Sequence, residues 1–222
     1  MSCRQGDHVL DIGANIGVYT KFLSDMVGEQ GRVTSFEPVP TTFDILSSNI
    51  QRLNLKNVRL FNVAVSDQNK MVKMEVPVYK TGGENFYESR IVEQVSSDSF
   101  RCVEVQSRSL DSLCSEFIQK ISFVKCDVEG FEYHCLTGAA QFIRDHSPVW
   151  LMEISSDPDD DRTLAHKTFG LLAEAGYEPF LFDGKIFRKR QRGDKTVNYF
   201  FLHRNHVHKL KNIKFYTGDD RS

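Results

Sequence analysis

Several features are scarce or missing in this chain, and each absence excludes something. No C-x-x-C pair occurs among the five cysteines, Cys3, Cys102, Cys114, Cys126 and Cys135. Their number is odd, and Cys126 and Cys135 fall in patterns that read as buried. This argues against a disulfide framework and for reduced thiols in a cytoplasmic protein. No apolar run approaches membrane-spanning length, and no signal-peptide pattern is visible. No basic excess exists either: 28 Lys+Arg against 30 Asp+Glu give a formal net charge of -2. A global footprint for nucleic acid is therefore absent. Internal repeats and the marks of a second domain are also missing. What remains is 222 residues, 40% hydrophobic and 26% charged. One α/β domain spanning 1–222 is the expectation. The chain reaches its first strand almost at once, so a preceding native segment is expected to have been trimmed.

The stretch that organises the rest is Val9-Leu10-Asp11-Ile12-Gly13-Ala14-Asn15-Ile16-Gly17. A short apolar run meets an acidic residue and breaks into a turn with two glycines. A helical pattern follows, with Ile16, Tyr19, Phe22, Leu23 and Met26 at helix spacing. Strand, glycine turn and helix open a nucleotide-binding α/β unit. A dinucleotide fingerprint has a further glycine that admits the pyrophosphate, and this turn lacks it. Asp11 is expected to face the ligand, where a carboxylate repels phosphate but suits a cation or hydroxyl. S-adenosylmethionine (SAM) meets that requirement: it has a sulfonium, an ammonium and a ribose, and no phosphate. Glu37 stands at the end of the next strand, Arg32 to Phe36, about 20 residues past the turn, where an acidic residue binds ribose hydroxyls. NAD enzymes share that feature, so Glu37 alone does not separate the two cofactors. Pro38 and Pro40 then stop the strand.

Further along, Thr41 or Thr42 is placed to cap a helix to about Leu53. A third strand is expected over Asn57 to Val65. Asn62, Ala64 or Ser66-Asp67 either touch an adenine there or form a solvated strand exit. Residues of about 68–108 do not read as βαβ. Met71 to Val76 and Val103 to Gln106 alternate at period two, around a long polar connection. That connection is either a substrate loop, with Phe86, Tyr87 and Arg90 as contacts, or a surface excursion. Ser109 is placed to cap a short helix. The strand Ile121 to Cys126 ends in Asp127-Val128-Glu129-Gly130-Phe131-Glu132, a helix is expected next with Leu136, Ala139, Ala140 and Ile143 inward, and Val149 to Met152 ends in Glu153. The following acidic run, Asp157 to Asp161, reads as the cap of a helix reaching about Glu174. Two last strands follow, Tyr177 to Phe182 and Val197 to Leu202, joined through a basic stretch. The residues from about 204 to 222 form a basic, histidine-containing tail.

These residues resemble the FkbM family of SAM-dependent methyltransferases. The resemblance rests on the glycine-turn stretch, Phe36-Glu37-Pro38, Asn62-Val63-Ala64-Val65-Ser66-Asp67, and Lys125-Cys126-Asp127-Val128-Glu129-Gly130-Phe131-Glu132. Glu153 and Asn198-Tyr199-Phe200-Phe201 also match, while Cys126 replaces a more usual aliphatic residue. The resemblance implies a Rossmann-like α/β fold with helices on both faces. Its sheet would be seven-stranded and mostly parallel, with an antiparallel last strand and a β-strand insertion before the fourth core strand. It implies O-methylation of a hydroxyl on a sugar, glycolipid or natural product. SAM would be held by Asp11, Gly13, Asn15, Gly17, Glu37, Asn62, Ala64 and Asp127. Asp127, Glu129 and Glu153 are the catalytic candidates, with Asp127 either base, hydroxyl anchor or helix cap; no metal ligands are assigned. An NAD-linked oxidoreductase and a non-catalytic SAM-binding module are the competing readings.

Overall fold

The computed structural model describes residues 3–77, 90–92, 100–117, 119–184 and 186–210. The chain opens with β1 (His8–Ile12), α1 (Val18–Val27), β2 (Arg32–Phe36), α2 (Pro40–Arg52) and β3 (Val58–Phe61). Short β4 (Ala64–Val65) leads into β5 (Lys70–Pro77), β6 (Arg90–Val92) and β7 (Phe100–Arg108). A 3-10 turn, Asp111–Glu116, precedes β8 (Ile121–Cys126), α3 (Glu132–Thr137), α4 (Ala140–His146) and β9 (Val149–Glu153). The chain continues through α5 (Leu164–Glu174), β10 (Tyr177–Phe182), β11 (Phe187–Lys189), β12 (Asn198–His203) and α6 (Arg204–Leu210).

The main sheet runs β11-β10-β12-β9-β8-β1-β2-β3. Strands β3, β2, β1, β8 and β9 are mutually parallel, and β12 is antiparallel to both β9 and β10. The expected mostly parallel Rossmann-like sheet is present, with β11 as an eighth strand at its edge. That strand arises from the basic stretch after Asp183-Gly184: Phe187 packs at a tilt against Phe182 and edge-on against Phe200, while Arg188 pairs with Asp194. Period-two alternation sends side chains to two cores. Val9, Phe123, Val149 and Leu202 meet Leu23 and Val27 of α1 and Val207 of α6. Leu10, Val124, Trp150 and Phe201 meet Leu136, Phe142 and Leu172 of α3, α4 and α5. Helices thus cover both faces, and burying each such large side chain contributes about 1.5–3 kcal/mol.

A second, four-stranded sheet has the order β4-β7-β5-β6. β4 is parallel to β7 in the register Ala64↔Ser107 and Val65↔Arg108, and β5 is antiparallel to both β7 and β6. This sheet packs Met74, Val76 and Val105 on Val39 and Ala64.

Five local expectations change. The strand expected over 57–65 breaks at Asn62, whose side-chain amide donates to the carbonyls of Glu37 and Pro38; the chain resumes as β4 in the other sheet. The α2 helix begins at Pro40 rather than at a threonine cap, because proline suits the first helical turn. The helix expected after Asp127 divides into α3 and α4 at Gly138, where a Cβ would stand 2.2 Å from the Ser66 carbonyl oxygen. Thr163, not the acidic run, caps α5 by accepting the His166 N–H; Asp159 and Asp160 instead bind Arg190 and Arg162. The tail starts with α6. None of the helices among the described residues is long and apolar enough to cross a membrane.

Candidate active site

A cleft of about 460 Å³ opens at the carboxyl ends of β1, β2, β8 and β9, where open α/β sheets bind ligands. Its floor is the glycine turn after β1. Gly13 has φ +76, and a Cβ there would lie 1.8 Å from the backbone oxygen of Asp127. Only glycine lets the two turns meet. The Gly13 and Ala14 N–H groups donate to the Phe36 carbonyl, which ties the turn to β2. Asn15 takes a left-handed conformation at φ 51 and accepts the Ile16 N–H on its own side chain. Gly17, at φ +96, packs against Leu46 of α2 and is not among the cleft residues.

Glu37 closes the β2 side. Its two carboxylate oxygens accept the N–H groups of Asn15 and Val39, each at 3.0 Å. Burial pushes its carboxyl up to about 7, against those two backbone hydrogen bonds. Each oxygen keeps a lone pair for a further donor. Beside it, Val39, Val63, Ala64, Val65 and Met74 form an apolar wall. Asn62 does not line the cleft; its amide fixes the Glu37-Pro38 turn from behind.

Asp11 does not face the cleft. It is fully buried under the turn, where the Thr20 hydroxyl donates to its Oδ2 at 2.6 Å. The physical reason lies on α1: its inward face is Thr20, Leu23, Ser24 and Val27. Tyr19 and Phe22, which the spacing had turned inward, are 42% and 54% exposed. Burial pushes the Asp11 carboxyl up, opposed by the charge of Lys125 and the Thr20 hydrogen bond.

Lys125 comes from the middle of the acidic constellation. Its Nζ lies 3.2 Å from Asp127 Oδ2 and 3.8 Å from Asp11 Oδ1, and it donates to the Gly13 carbonyl at 3.0 Å. Burial alone would pull this ammonium down, but Asp11 and Asp127 outweigh it and leave it raised. Asp127 and Glu153 end adjacent parallel strands and both line the cleft. Partial burial and then the Asp127 charge hold the Glu153 carboxyl above its ordinary value. Glu129, at φ 50, is exposed on the rim beside Gly130 at φ +93. Glu132 turns back instead: it is buried and accepts the Gly130 N–H at 3.0 Å.

Tyr19, Val39, Met74 and Phe131 also line the cleft. Of these only Phe131 lies within a quoted motif, the Lys125-to-Glu132 stretch, and it carried no role there; Tyr19 entered only as an apolar position of α1. Of the expected substrate contacts, Phe86 and Tyr87 lie outside the described residues. Arg90 opens β6, with its side chain outside the described set. No group of three or more His, Cys, Asp or Glu arranged to hold a metal ion occurs among the described residues.

A family profile described as a methyltransferase FkbM domain matches residues 11–179. Among curated proteins, protein-L-isoaspartate O-methyltransferase 2 of Archaeoglobus fulgidus is 28% identical over 98 residues, 43% of each chain. Protein-L-isoaspartate O-methyltransferase 1 of the same organism is 33% identical over 58 residues, 26% of this chain and 27% of that one. The chain thus spans less than half the length of these curated relatives. Among solved structures, methyltransferase FkbM from Methylobacillus flagellatus superposes with a TM-score of 0.57 at 16% identity, covering 91% of this chain and 44% of that one. Fibrillarin from Aeropyrum pernix, solved with natively bound S-adenosyl-L-methionine, gives 0.52 at 13% identity, covering 90% and 68%. At these identities the likeness is one of fold.

Proposed function

The chain belongs to the FkbM methyltransferase family, and we propose that it methylates a hydroxyl on a small-molecule acceptor such as a sugar, glycolipid or natural product. The cofactor is SAM, and the residues present fit it. The Gly13 turn lines the cleft and packs its backbone directly on that of Asp127, which brings the β1 and β8 turns together under the ligand space. Glu37 retains acceptor capacity for ribose hydroxyls, and the wall around Ala64 suits a flat apolar base. The charged side chains lining the cleft are Glu37, Lys125, Asp127, Glu129 and Glu153. Its lysine is already engaged by Asp127 and Gly13. Such a surface favours a sulfonium and an ammonium over a pyrophosphate.

When bound, SAM supplies an electrophilic methyl on a positively charged sulfur. The protein must then align the acceptor oxygen and take its proton. The observation that carries the reading is the Asp127–Glu153 pair on adjacent strand ends. Asp127, 3.2 Å from the Lys125 ammonium, is the base. Glu153, whose carboxyl is held above its ordinary value by partial burial and then by the Asp127 charge, anchors the acceptor. Glu129 contacts the acceptor at the rim. Gly13, Asn15 and Glu37 hold the cofactor; Asp11, Gly17 and Asn62 support them from outside the cleft. The reading includes no metal, and cytoplasmic work with free thiols suits the five unpaired cysteines.

Asp127→Asn keeps the shape and removes the base. With labelled SAM and a panel of glycosides and polyketide-like alcohols, the variant should bind SAM yet turn over about 10²–10⁴ times more slowly. A rate within about threefold of the wild type would exclude Asp127 as the base on that scale. Activity abolished by a chelator and restored by magnesium would overturn the metal-free reading.

A further inference from the structure

We infer that Lys125 is a positioning residue, whose ammonium holds the Asp127 carboxylate in place and ties it to the glycine turn that carries the cofactor. The inference rests on the reading of Asp127 as the base. A buried lysine in the strand Ile121–Cys126 has an ordinary explanation, as counter-ion to the fully buried Asp11. The geometry points elsewhere. Lys125 Nζ is 3.0 Å from the Gly13 carbonyl and 3.2 Å from Asp127 Oδ2, both hydrogen-bonding distances. Asp11 Oδ1 is farther, at 3.8 Å, and has no hydrogen-bond partner. A lysine serving Asp11 would spend its closest contact there; this one gives its two closest contacts to the cleft.

The arrangement acts as a clamp. Gly13 and Asp127 belong to turns after different strands, β1 and β8. From one side the missing Cβ of Gly13 lets those turns touch. From beneath, one ammonium bonds a group in each. Its remaining side lies 5.0 Å from the ring centre of Tyr19, a cleft residue. Lys125 is 5% exposed, so water screens these charges weakly. The other titratable groups of the neighbourhood are Asp11 below, Glu37 on β2's end, Cys126 next in sequence, Glu132 on α3, Glu153 on β9 and Tyr19 on α1.

The test compares Asp11→Asn, Lys125→Met/Asp11→Asn and Lys125→Arg with the wild type. Lys125→Met alone leaves Asp11 as an unpaired buried charge and risks misfolding. The double variant removes both charges, and Asp11→Asn alone isolates the part due to Lys125. Each protein is checked by thermal melting, SAM calorimetry, and kcat and KM across pH. Relative to Asp11→Asn, the double variant should lose at least about tenfold in kcat at neutral pH, with acceptor KM little changed. SAM affinity should fall at least about threefold, since the glycine turn loses its tie. Lys125→Arg should restore part of kcat and of SAM affinity, because a planar guanidinium keeps the charge but does not reproduce the ammonium's contacts. A folded double variant with the kcat and SAM affinity of Asp11→Asn would overturn the inference and leave Lys125 a counter-ion. If the wild type methylates no hydroxyl, the functional reading fails, and calorimetry decides alone: unchanged SAM affinity in the double variant refutes the clamp, and the expected loss supports it.

Discussion

Replacing Gly13 by alanine tests the contact between the two turns most directly. Two costs add. The backbone sits at φ +76, and a left-handed conformation costs a residue with a Cβ about 1–2 kcal/mol. The new Cβ would also stand 1.8 Å from the Asp127 backbone oxygen, whereas ordinary contact begins at 3.4 Å. That oxygen belongs to a turn anchored by the Asp127 N–H bond to Ile12, so it cannot rotate away as a side chain would. Overpacking of this kind costs a further 1–3 kcal/mol or so. Gly130→Ala is the internal control: its φ is +93, yet nothing lies within 4 Å of the added Cβ. Gly130→Ala should therefore show the conformational cost alone. Gly13→Ala should be less stable than that control by about 1–3 kcal/mol in urea unfolding, a Tm difference of roughly 3–10 °C. It should also bind SAM measurably more weakly, because the turns separate where the cofactor rests. Equal stability and equal SAM affinity in the two variants would refute the claim that the turns are in contact.

Glu37→Ala should weaken SAM binding by about 1.5–3 kcal/mol in calorimetry, as charge-assisted hydrogen bonds to the ribose are lost; unchanged affinity would reject that assignment. The same residue gives a pH signature without cofactor. Its carboxyl is pushed from 4.5 to about 7 by burial, so its stabilising contribution is full below pH 4.5 and lost as pH rises through about 7. Glu37→Gln should abolish up to about 3 kcal/mol of that decline, and denaturation curves at pH 5 and 7.5 that fall equally in both proteins would contradict it. Thr20→Val should cost about 1.5–3 kcal/mol, since it strips the buried Asp11 of the hydroxyl 2.6 Å from Oδ2; a loss below about 0.5 kcal/mol would show that water replaces it.

The parts of the fold that were legible in the sequence are those where one strand and one turn act locally. The Val9-to-Gly17 stretch, Glu37 after β2, Asp127 after β8 and Glu153 at the end of β9 all stand where alternation and turn chemistry place them. The misread parts depend on partners distant in sequence. On α1, apolar spacing favours Tyr19 and Phe22, but the sheet presents Asp11 and Ser35 to that helix, and the turn before β3 presents Asn57. Thr20 and Ser24 therefore turn inward to bond them. The break at Asn62 and the division at Gly138 likewise answer to backbone from other segments. The acidic run after Glu153 gave no sign that Arg190, 31 positions later, would claim Asp159. For Lys125 the residue was visible but its particular contacts were not, because three partners set it, Asp11 within β1 and Gly13 and Asp127 in the turns after β1 and β8.

The register Ala64↔Ser107 and Val65↔Arg108 has a consequence for how this architecture diversifies. The second sheet leaves and rejoins the chain at points that lie side by side. Whatever is spliced between them inherits closed ends, and the cost of lengthening such an excursion grows only slowly with its size. Among the described residues the splice touches the cleft on one wall, through Met74, while the glycine turn, Glu37, Asp127 and Glu153 all come from the strand ends of the main sheet. A lineage can therefore trade this cassette for one of different length and composition, and so remodel that wall, without moving any of those four positions.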